Sequence, residues 1–445
     1  MTKVITYGTY DMIHYGHVRL LERAKELGDY LIVGVTSDDF DKSRGKINVN
    51  QSLTERIDAV KSLNIADEII VEEYEGQKID DIRRYDVDIF TVGDDWKGHF
   101  DYLKEYCQVV YLDRTKGISS SQIRSNERNL EIGIVGEYVS IMDKFARECE
   151  FVNGIMVSAI CTKNKSSLTN RLANVQFVTS DYEELLDKVD AIYLAVHPEL
   201  HDTYIKKALN KRKHVICETP ISISKNGCKE LYEIAKENGC ILMEAIKTAY
   251  ALAFERLLLL LKTGIIGEVI SVDATCTSLR KKTLFDSNGN KQWGSLYEWG
   301  SFAMLPVFAI LGTDYKSKHI QTKLLEDDYD LFTKVDFIYE NAVASIKVGA
   351  GVKSESDLII SGTEGYVYVP APWWKTDYFE IRFENFQDNK KCFYQLDGEG
   401  IRYMILNFVK SITNEKENSY VSRDISMEIS SILNDFREKK NITII

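Results

Sequence analysis

Two histidines three residues apart, His14 and His17, lie between a short apolar segment and an amphipathic one. Residues 3–7 (KVITY) are rich in β-branched side chains and predict a buried parallel strand, whereas apolar residues recur at helical spacing over 18–27. The pair therefore lies where a strand gives way to a helix, and Gly16 allows close approach of the backbone. Unpaired N–H groups and the helix dipole favour an anion there, so the pair predicts phosphate chemistry. The structural alternative is a capping turn in which each ring hydrogen-bonds a neighbour.

Three further polar segments follow other predicted strands. "KSRGK", with Lys42, Arg44 and Lys46, is a basic loop, a pattern that is also typical of a solvated surface. "VGDDW" at 92–96 offers carboxylates for a metal or a substrate hydroxyl, or else turn residues. "RTKGISSSQI" at 114–123 places basic residues, a glycine and three serines at a helix start, which suits a second phosphate contact. Loops that follow parallel strands meet at one edge of the sheet, so these segments are expected to converge on one pocket.

Composition excludes several classes of protein. A chain of 445 residues is too long for one core and predicts several domains, and its net charge of −12 argues against a general nucleic-acid binder. No apolar run approaches the ~20 residues that a membrane span needs, and the N-terminus does not resemble a signal peptide. We therefore expect a cytoplasmic protein without membrane insertion. The eight cysteines form no CxxC pair, which predicts neither a zinc site nor a disulfide framework.

The elements that must position these residues follow an alternating strand and helix pattern, which predicts parallel α/β domains. A polar segment at 125–129 predicts a linker, and after about Gly267 apolar residues alternate with period two, which predicts an antiparallel sheet with one face in solvent. We therefore predict three domains, at 1–128, 129–250 and 251–445. The predicted strands of the first two lie at 3–7, 30–35, 68–71, 88–92, 109–112, 130–135, 156–161, 191–196 and 214–217.

Residues 1–125 resemble the glycerol-3-phosphate cytidylyltransferases, within the HxGH nucleotidyltransferase superfamily. The resemblance rests on "YGTYDMIHYGHVRLLERAKELGDYL", "VGDDWKGHFDYL" and "RTKGISSSQI". It implies a Rossmann-like HxGH nucleotidyltransferase domain that transfers CMP from CTP to a small polyol phosphate, releases pyrophosphate and uses Mg²⁺.

The resemblance also implies roles for individual residues. His14, His17, Lys46 and Arg114 would be catalytic, and Arg44 and Lys78 would hold the phosphate of the acceptor. Arg44 stands where a lysine is usual, which keeps the charge but changes its geometry. Residues implied to bind the nucleotide are Thr9, Tyr10, His14, Tyr15, Gly16, His17, Lys46, Arg114, Thr115, Gly117, Ile118, Ser119, Ser120 and Ser121.

Elementary chemistry agrees with this implication. An oxygen of the acceptor phosphate is already a nucleophile, so the reaction needs no general base. The enzyme must hold the reactants in line and stabilise charge on the α-phosphate and the departing pyrophosphate. Donors such as His14, His17 and Lys46 can supply that stabilisation.

From Leu130 onward the chain resembles the Gfo/Idh/MocA oxidoreductases. The segments that carry this resemblance are "DYEELLDKVDAIYLAVHPELHDTYIKKALNKRKHVICETPIS", "LMEAIKTAY" and "TGIIGEV". It implies a second Rossmann-like domain followed by an α/β domain with an open sheet, here predicted to be antiparallel, and an NAD(P) cofactor.

Four positions depart from that family's pattern. Tyr138 replaces a glycine that lets the backbone approach a dinucleotide pyrophosphate, and Ile141 replaces the next small residue. Thr219 stands where the catalytic lysine of "EKP" is usual, and Phe302 where a histidine or tyrosine is usual. Neither supplies a proton readily, which disfavours NAD(P)-dependent hydride transfer. His201 and Lys247 remain as candidate proton donors, and Lys163, at the end of the second strand, is a candidate contact for a 2′-phosphate. Each of the three is also explained as a surface or core residue.

Three functions follow from these patterns. The leading one is a CTP:polyol-phosphate cytidylyltransferase, with sn-glycerol 3-phosphate as acceptor, that makes CDP-glycerol for teichoic acid or capsule synthesis. The second is a bifunctional enzyme whose second module reduces a keto-sugar phosphate that the first module then activates. The third is a nucleotide-binding regulatory protein without turnover. A homo-oligomer with two-fold symmetry is expected, because related cytidylyltransferases pair and an open sheet offers a second self-complementary face.

Overall fold

The computed structural model describes residues 1–43, 49, 51–74, 76–113, 130–279, 294–326, 329–394, 396–413 and 419–445. The chain divides into two compact units, Met1–Asn129 and Leu130–Ile445, called the first and second units below. Among the described residues, no helix is both long and apolar enough to cross a bilayer.

The first unit contains a sheet of five parallel strands in the order β3-β2-β1-β4-β5. Each strand lies close to its predicted position. Val4 and Ile5 of β1 are fully buried on opposite faces of the sheet, which explains why this strand lacks an exposed face. Its elements are β1 (Lys3–Gly8), α1 (Tyr15–Lys25), β2 (Tyr30–Thr36), α2 (Asp38–Ser43), α3 (Leu53–Ser62), β3 (Glu68–Glu72), α4 (Gln77–Tyr85), β4 (Ile89–Gly93) and β5 (Gln108–Leu112).

The strand order places the predicted phosphate site at a crevice. Strand β1 pairs with β2 on one side and with β4 on the other, so the connections that leave β1 and β4 run to opposite sides. Such a reversal opens a crevice at the carboxyl ends of the strands, which is where ligands bind in open α/β sheets. The predicted helix over 18–27 is observed over Tyr15–Lys25, and it starts earlier because His14 caps it.

The second unit begins with another parallel sheet, in the order β11-β10-β9-β6-β7-β8. The strands predicted at 130–135, 156–161, 191–196 and 214–217 are all present in it. Its elements are β6 (Leu130–Gly136), α5 (Val139–Cys149), β7 (Ile155–Cys161), α6 (Asn170–Ala173), β8 (Phe177–Thr179), α7 (Tyr182–Leu186), β9 (Ala191–Ala195), α8 (His201–Asn210), β10 (His214–Cys217), α9 (Lys225–Glu237) and β11 (Leu242–Glu244).

A third, mixed sheet follows in the order β20-β19-β18-β17-β12-β15-β14-β13-β21, with β16 pairing β12. Most neighbours are antiparallel, as predicted, but β12 with β15 and β13 with β21 are parallel. The elements are α10 (Leu252–Lys262), β12 (Val269–Leu279), α11 (Ser295–Leu311), β13 (Ser317–Glu326), β14 (Tyr329–Ile338), β15 (Val343–Gly349), β16 (Gly351–Val352), β17 (Leu358–Gly362), β18 (Tyr366–Val369), β19 (Tyr378–Arg382), β20 (Lys390–Phe393), α12 (Ile401–Thr413), α13 (Arg423–Arg437) and β21 (Ile442–Ile444).

Alternation on β14 shows why this sheet carries a period-two pattern. Val335 and Phe337 are buried, whereas Ile338 is 53% exposed. One face of the strand therefore packs into the core and the other meets solvent.

Candidate active site

The two histidines lie at the first turn of α1, directly after the central strand. His14 is the N-cap residue, and its Nδ1 accepts a hydrogen bond from the Gly16 N–H at 3.1 Å. The rings of His14 and His17 stack with their centroids 3.9 Å apart and their planes 20° apart. Because Nδ1 accepts, a neutral His14 ring carries its proton on Nε2, which is then a donor. Capping and phosphate binding are compatible, since they use different nitrogens of the ring.

Tyr10 supports this pair from the loop between β1 and α1. Its ring meets that of His17 edge-on, with centroids 5.7 Å apart, and it is only 2% exposed. The ring packs on Gly8, where a Cβ atom would lie 3.0 Å from Tyr10 Cζ. Burial raises the pKa of the Tyr10 hydroxyl well above its usual range, so the group stays neutral. Tyr10 therefore forms a buried wall of the predicted nucleotide site.

The loop that carries these residues is held in a strained conformation. Tyr10 and Met12 have positive φ angles of 53° and 50°, which cost a residue with a side chain roughly 1 kcal/mol or more each. The Met12 N–H donates to Gln51 Oε1 at 2.7 Å, and the Gln51 N–H donates to Asp11 Oδ1 at 3.0 Å. This reciprocal pair of hydrogen bonds fixes the loop against the segment that precedes α3.

A buried guanidinium joins the loops around the crevice. Arg56 on α3 is fully buried, and its Nη1 donates to the carbonyl oxygens of Thr9 at 2.6 Å and Thr36 at 2.8 Å. Its Nε donates to the Gln51 carbonyl at 3.1 Å, and its Nη2 donates to Asp38 Oδ1 at 2.5 Å. One side chain thus ties the ends of β1 and β2 to α2 and to the start of α3. Arg56 positions the loops that surround the histidines.

Asp41 adds a carboxylate to the same network. Its Oδ1 accepts from the Thr9 hydroxyl at 2.9 Å, and its Oδ2 lies 3.7 Å from Arg56 Nη1. Thr9, which the resemblance assigns to the nucleotide site, is therefore oriented by its hydroxyl and by its carbonyl. Tyr15, assigned to the same site, is 57% exposed and points away from the core.

Lys78, the predicted acceptor-phosphate residue, lies on α4 and is largely buried. Its ammonium forms an ion pair with Glu72 at the end of β3, and Glu72 also accepts from the Thr36 hydroxyl at 2.9 Å. The Lys78 Nζ lies 4.8 Å from the centre of the Tyr7 ring. The structure thus places Lys78 at the carboxyl edge of the sheet, but with its charge already paired, a partner that the sequence did not reveal.

The other predicted residues fall outside the described part of the chain. They are Arg44, Lys46, Arg114, Thr115, Gly117, Ile118, Ser119, Ser120 and Ser121. Asp94 is described and begins a short helix (Asp94–Trp96) directly after β4, at the same edge as the histidines.

The described residues provide no cluster of three or more His, Cys, Asp or Glu side chains that could hold a metal ion. The Mg²⁺ that the resemblance implies stays a prediction; such an ion commonly binds through one or two carboxylates and the phosphates of its substrate.

Sequence reasoning missed Arg56, Asp11, Asp41 and Gln51. A signal for Arg56 was present, since it is a charged residue four positions before the buried Val60, on the inward face of an amphipathic helix. A charge on that face predicts a buried polar network. The roles of the other three depend on contacts across the fold, for which the sequence carries no local pattern.

In the second unit, the turn between β6 and α5 differs from a usual dinucleotide site. Gly136 is retained and is needed, because a Cβ there would lie 2.5 Å from the Ala195 carbonyl oxygen. The next residue, Glu137, turns its carboxylate to the Lys163 N–H at 3.1 Å and to the Thr162 hydroxyl at 3.2 Å. Tyr138 is the N-cap of α5. A carboxylate and a bulky ring at this helix start do not fit a dinucleotide pyrophosphate.

The residues at the predicted reduction site are equally atypical. Thr219 precedes Pro220 in the chain. The centroid of the Phe302 ring lies 6.4 Å from that of the Trp299 ring. His201 is fully buried, with its nitrogens 2.8 Å from the Pro220 carbonyl oxygen and 3.1 Å from the Val196 carbonyl oxygen. Burial lowers the pKa of His201 to about 4. It is a neutral core residue that connects two segments and is not placed to transfer a proton to a ligand.

The first unit matches known proteins over most of its length. Residues 5–126 match a family described as cytidylyltransferase-like. The glycerol-3-phosphate cytidylyltransferase of Bacillus spizizenii is 52% identical over 130 residues, which are 29% of this chain and all of that protein. The chain belongs to the cytidylyltransferase family. The glycerol-3-phosphate cytidylyltransferase of Staphylococcus aureus is 48% identical over 124 residues, 28% of this chain and 93% of that protein. This cytidylyltransferase is thus an enzyme of the nucleotidyltransferase class.

The first part of the second unit of the cytidylyltransferase is similar to the Gfo/Idh/MocA oxidoreductases. Residues 130–246 match a family described as an oxidoreductase family with an NAD-binding Rossmann fold. The crystal structure of KijD10, a 3-ketoreductase from Actinomadura kijaniata in complex with NADP and TDP-benzene, superposes with a TM-score of 0.61 and 19% identity, over 71% of this chain and 99% of that one. At this identity the likeness shows the fold alone.

Proposed function

We propose that the cytidylyltransferase transfers CMP from CTP to sn-glycerol 3-phosphate and releases pyrophosphate. The observation that carries this proposal is the stacked pair of His14 and His17 at the start of α1, in the crevice where the strand order reverses. The Bacillus and Staphylococcus proteins that share this unit are named for that activity, which supports the choice of acceptor.

An oxygen of the acceptor phosphate attacks the α-phosphorus of CTP and forms the new P–O bond. The bond from that phosphorus to the bridging oxygen of the β-phosphate breaks, and pyrophosphate carries the electron pair away. The Nε2–H of His14 and the ring of His17 donate to phosphate oxygens on which charge increases. As the resemblance implies, Lys46 and Arg114 would add positive charge, and Thr115, Gly117, Ile118, Ser119, Ser120 and Ser121 would bind the nucleotide. Mg²⁺, when bound to the phosphates of CTP, supplies further charge neutralisation.

A panel of acceptors tests this proposal. The full chain is incubated with CTP, Mg²⁺ and one of several phosphorylated polyols, and pyrophosphate release is measured. We expect the highest kcat/KM with sn-glycerol 3-phosphate. If no polyol phosphate supports turnover, the proposed enzymatic function is refuted, and a regulatory nucleotide-binding protein is favoured.

Arg44 and Lys78 are proposed to hold the acceptor phosphate. Lys78 forms an ion pair with buried Glu72, so replacing Lys78 alone would remove the cation from that pair. The informative variant therefore combines Lys78→Met with Glu72→Gln. Loss of one charged hydrogen bond predicts a rise in KM for the polyol phosphate of about tenfold or more. We expect KM for CTP to change much less. Glu72→Gln alone is the control, and Arg44→Ala should act in the same direction. Equal rises for both substrates would contradict the assignment.

The proposed product, CDP-glycerol, is an activated building block for a glycerol phosphate polymer such as teichoic acid or capsule. We propose that the cytidylyltransferase works in the cytoplasm and supplies such a pathway. Deleting its gene should then remove glycerol phosphate from the surface polymer, and an unchanged polymer would contradict this role.

We propose that the second unit does not catalyse ordinary nicotinamide-dependent hydride transfer. Glu137 and Tyr138 occupy the turn where a pyrophosphate would lie, and Thr219 and Phe302 replace the usual proton donors. The fluorescence of NADH and NADPH should change little when the full chain is added. Absorbance at 340 nm should stay constant with dihydroxyacetone phosphate or pentulose phosphates. Micromolar cofactor binding with ketose-dependent oxidation would establish the bifunctional alternative instead.

We further propose a homo-oligomer and a domain boundary near residue 250 inside the second unit. Exposed apolar residues such as Ile338 and Val343 on the mixed sheet support self-association. Light scattering at micromolar concentration should report a mass that is a multiple of 51.0 kDa. A mass of one chain would contradict the oligomer.

A further inference from the structure

Three lysine side chains of the second unit converge on one carboxylate, that of Glu399. Lys247 and Lys375 each place Nζ 2.6 Å from a Glu399 oxygen, and Lys144 places its Nζ 3.0 Å away. The lysines come from α5, from the segment after β11 and from the segment between β18 and β19. These three lysines are called the lysine cluster. Their positions far apart in the sequence show that the fold, not a local charge run, brings them together.

The backbone at Glu399 is shaped to hold this carboxylate. Gly398, Glu399 and Gly400 have φ angles of 57°, 54° and 88°, so three consecutive residues lie in the left-handed region. A Cβ at Gly398 would lie 2.0 Å from Glu148 Oε2, and one at Gly400 would lie 2.7 Å from the Lys247 carbonyl oxygen. Only glycines on both sides allow the loop to press this closely on α5 and on Lys247. The loop thus fixes Glu399 among the lysines.

Neighbouring charges do not neutralise the cluster. Glu148 pairs with Arg147 at 3.1 Å and Arg402 at 3.0 Å, and Asp397 lies 3.6 Å from Arg402. These two acids and two arginines balance one another. The lysine cluster therefore relies on other carboxylates.

Among the described residues, Glu399 contacts all three ammonium groups, and Glu218 interacts with the charge of Lys247. Burial raises the pKa of Glu218, although the hydrogen bond from Tyr193 and the charge of Lys247 act to lower it. Burial also acts to raise the pKa of Glu399, yet the hydrogen bonds from Lys247 and Lys375 hold it well below its usual range. With Glu399 ionised, the cluster still carries an excess of positive charge.

A hydrogen bond to the backbone links two of the segments that carry the cluster. Trp374 precedes Lys375, and its carbonyl oxygen accepts from the Thr248 hydroxyl, next to Lys247, at 2.7 Å. The ring of Trp374 lies 4.8 Å from that of Trp299. Three cationic donors held together in this way suit a ligand that carries an anionic group.

We propose that Lys144, Lys247 and Lys375 form a binding site for the phosphate group of a small phosphorylated metabolite. Glu399 holds the lysines in the free protein and is displaced when the dianion binds, because a phosphate offers more acceptor oxygens and more charge than a carboxylate. The site belongs to the second unit and is independent of the activity proposed for the first.

Amide hydrogen exchange on the full chain tests this site, because it separates binding in the two units. The probes are inorganic phosphate, sn-glycerol 3-phosphate and dihydroxyacetone phosphate, each against sodium chloride at equal ionic strength. Amides in peptides that cover 373–376 and 397–401 should exchange more slowly when the phosphate compound is present. This protection should saturate as the concentration of the compound rises. Peptides of residues 3–36 report binding to the first unit separately. No saturable protection of the second-unit peptides by any probe would overturn the proposal.

Variants give the decisive pattern. Lys247→Gln and Lys375→Gln should each weaken binding about tenfold or more, as expected for a charged hydrogen bond to a dianion. Glu399→Gln removes the competing carboxylate and should tighten binding, a change in the opposite direction that a merely structural ion-pair cluster would not produce. Lys236 is an exposed lysine of α9, so Lys236→Gln is the control and should leave binding unchanged.

If Glu399→Gln weakens binding as much as the lysine variants do, or if Lys236→Gln acts like them, the proposal is refuted. Lys144→Gln, at a partly exposed position, repeats the test if another variant does not fold.

Discussion

Replacing His14 or His17 with alanine is expected to lower kcat by at least about 10²-fold, the usual cost of removing one donor to developing charge. Their rings stack 3.9 Å apart at the start of α1, so both are placed to act on the same group of phosphate oxygens. Steady-state kinetics with CTP and sn-glycerol 3-phosphate measure the effect. Turnover within a factor of two of the unaltered enzyme would show that the histidines are only structural.

His14 needs a control for its second role, because it also caps α1 through Nδ1. Loss of an N-cap costs roughly 1 kcal/mol, so His14→Ala should lower both stability and kcat. Asparagine is a good N-cap but lacks the outward Nε2–H donor. We therefore expect His14→Asn to restore the free energy of unfolding while kcat stays low. Recovery of kcat together with stability would assign His14 to capping alone.

Arg56→Met is expected to destabilise the first unit by about 3–5 kcal/mol, because it removes the cation of a buried ion pair with Asp41. The fully buried guanidinium also donates hydrogen bonds to the carbonyl oxygens of Thr9 and Thr36, and the variant would remove this donor. Amide exchange of peptides from β1 and β2 measures this loss without interference from the second unit. Activity should fall as well, because the Thr9 loop loses its anchor.

Arg19→Met is the matched control for that experiment. Arg19 forms an ion pair with Glu22 on the surface of α1, where both side chains are 40% exposed. Exposed pairs of this kind contribute about 0–1 kcal/mol. If Arg56→Met were as mild as Arg19→Met, Arg56 would not be the residue that positions the loops of the crevice.

The strands and the histidine site could be predicted because their signals are local. A β-branched run followed by a glycine and an amphipathic pattern marks the end of β1 and the start of α1 without knowledge of the fold. The early start of α1 was not predicted, since a histidine cap through Nδ1 is not among the usual capping residues. The period-two pattern also could not reveal that β12 and β15 are parallel, because both pairings bury alternate residues.

Features that depend on distant contacts could not be predicted. Lys78 appeared as an available cation, and only the structure shows its pairing with Glu72. Glu399 meets Lys144 across 255 positions of the chain, so no spacing rule connects them. The substitutions at Tyr138, Thr219 and Phe302 were visible in the sequence, but the carboxylate that Glu137 turns toward Lys163 was not.

The mass of the product shows whether the enzyme transfers CMP to glycerol 3-phosphate. The full chain is incubated with CTP, Mg²⁺ and sn-glycerol 3-phosphate, and the His17→Ala variant is treated in parallel. The nucleotides are then separated and identified by mass spectrometry. Transfer of CMP to this acceptor predicts CDP-glycerol and pyrophosphate in equal amounts, with a rate at least about 10²-fold lower for the variant. CTP that stays intact, or a product formed equally fast by His17→Ala, would contradict it.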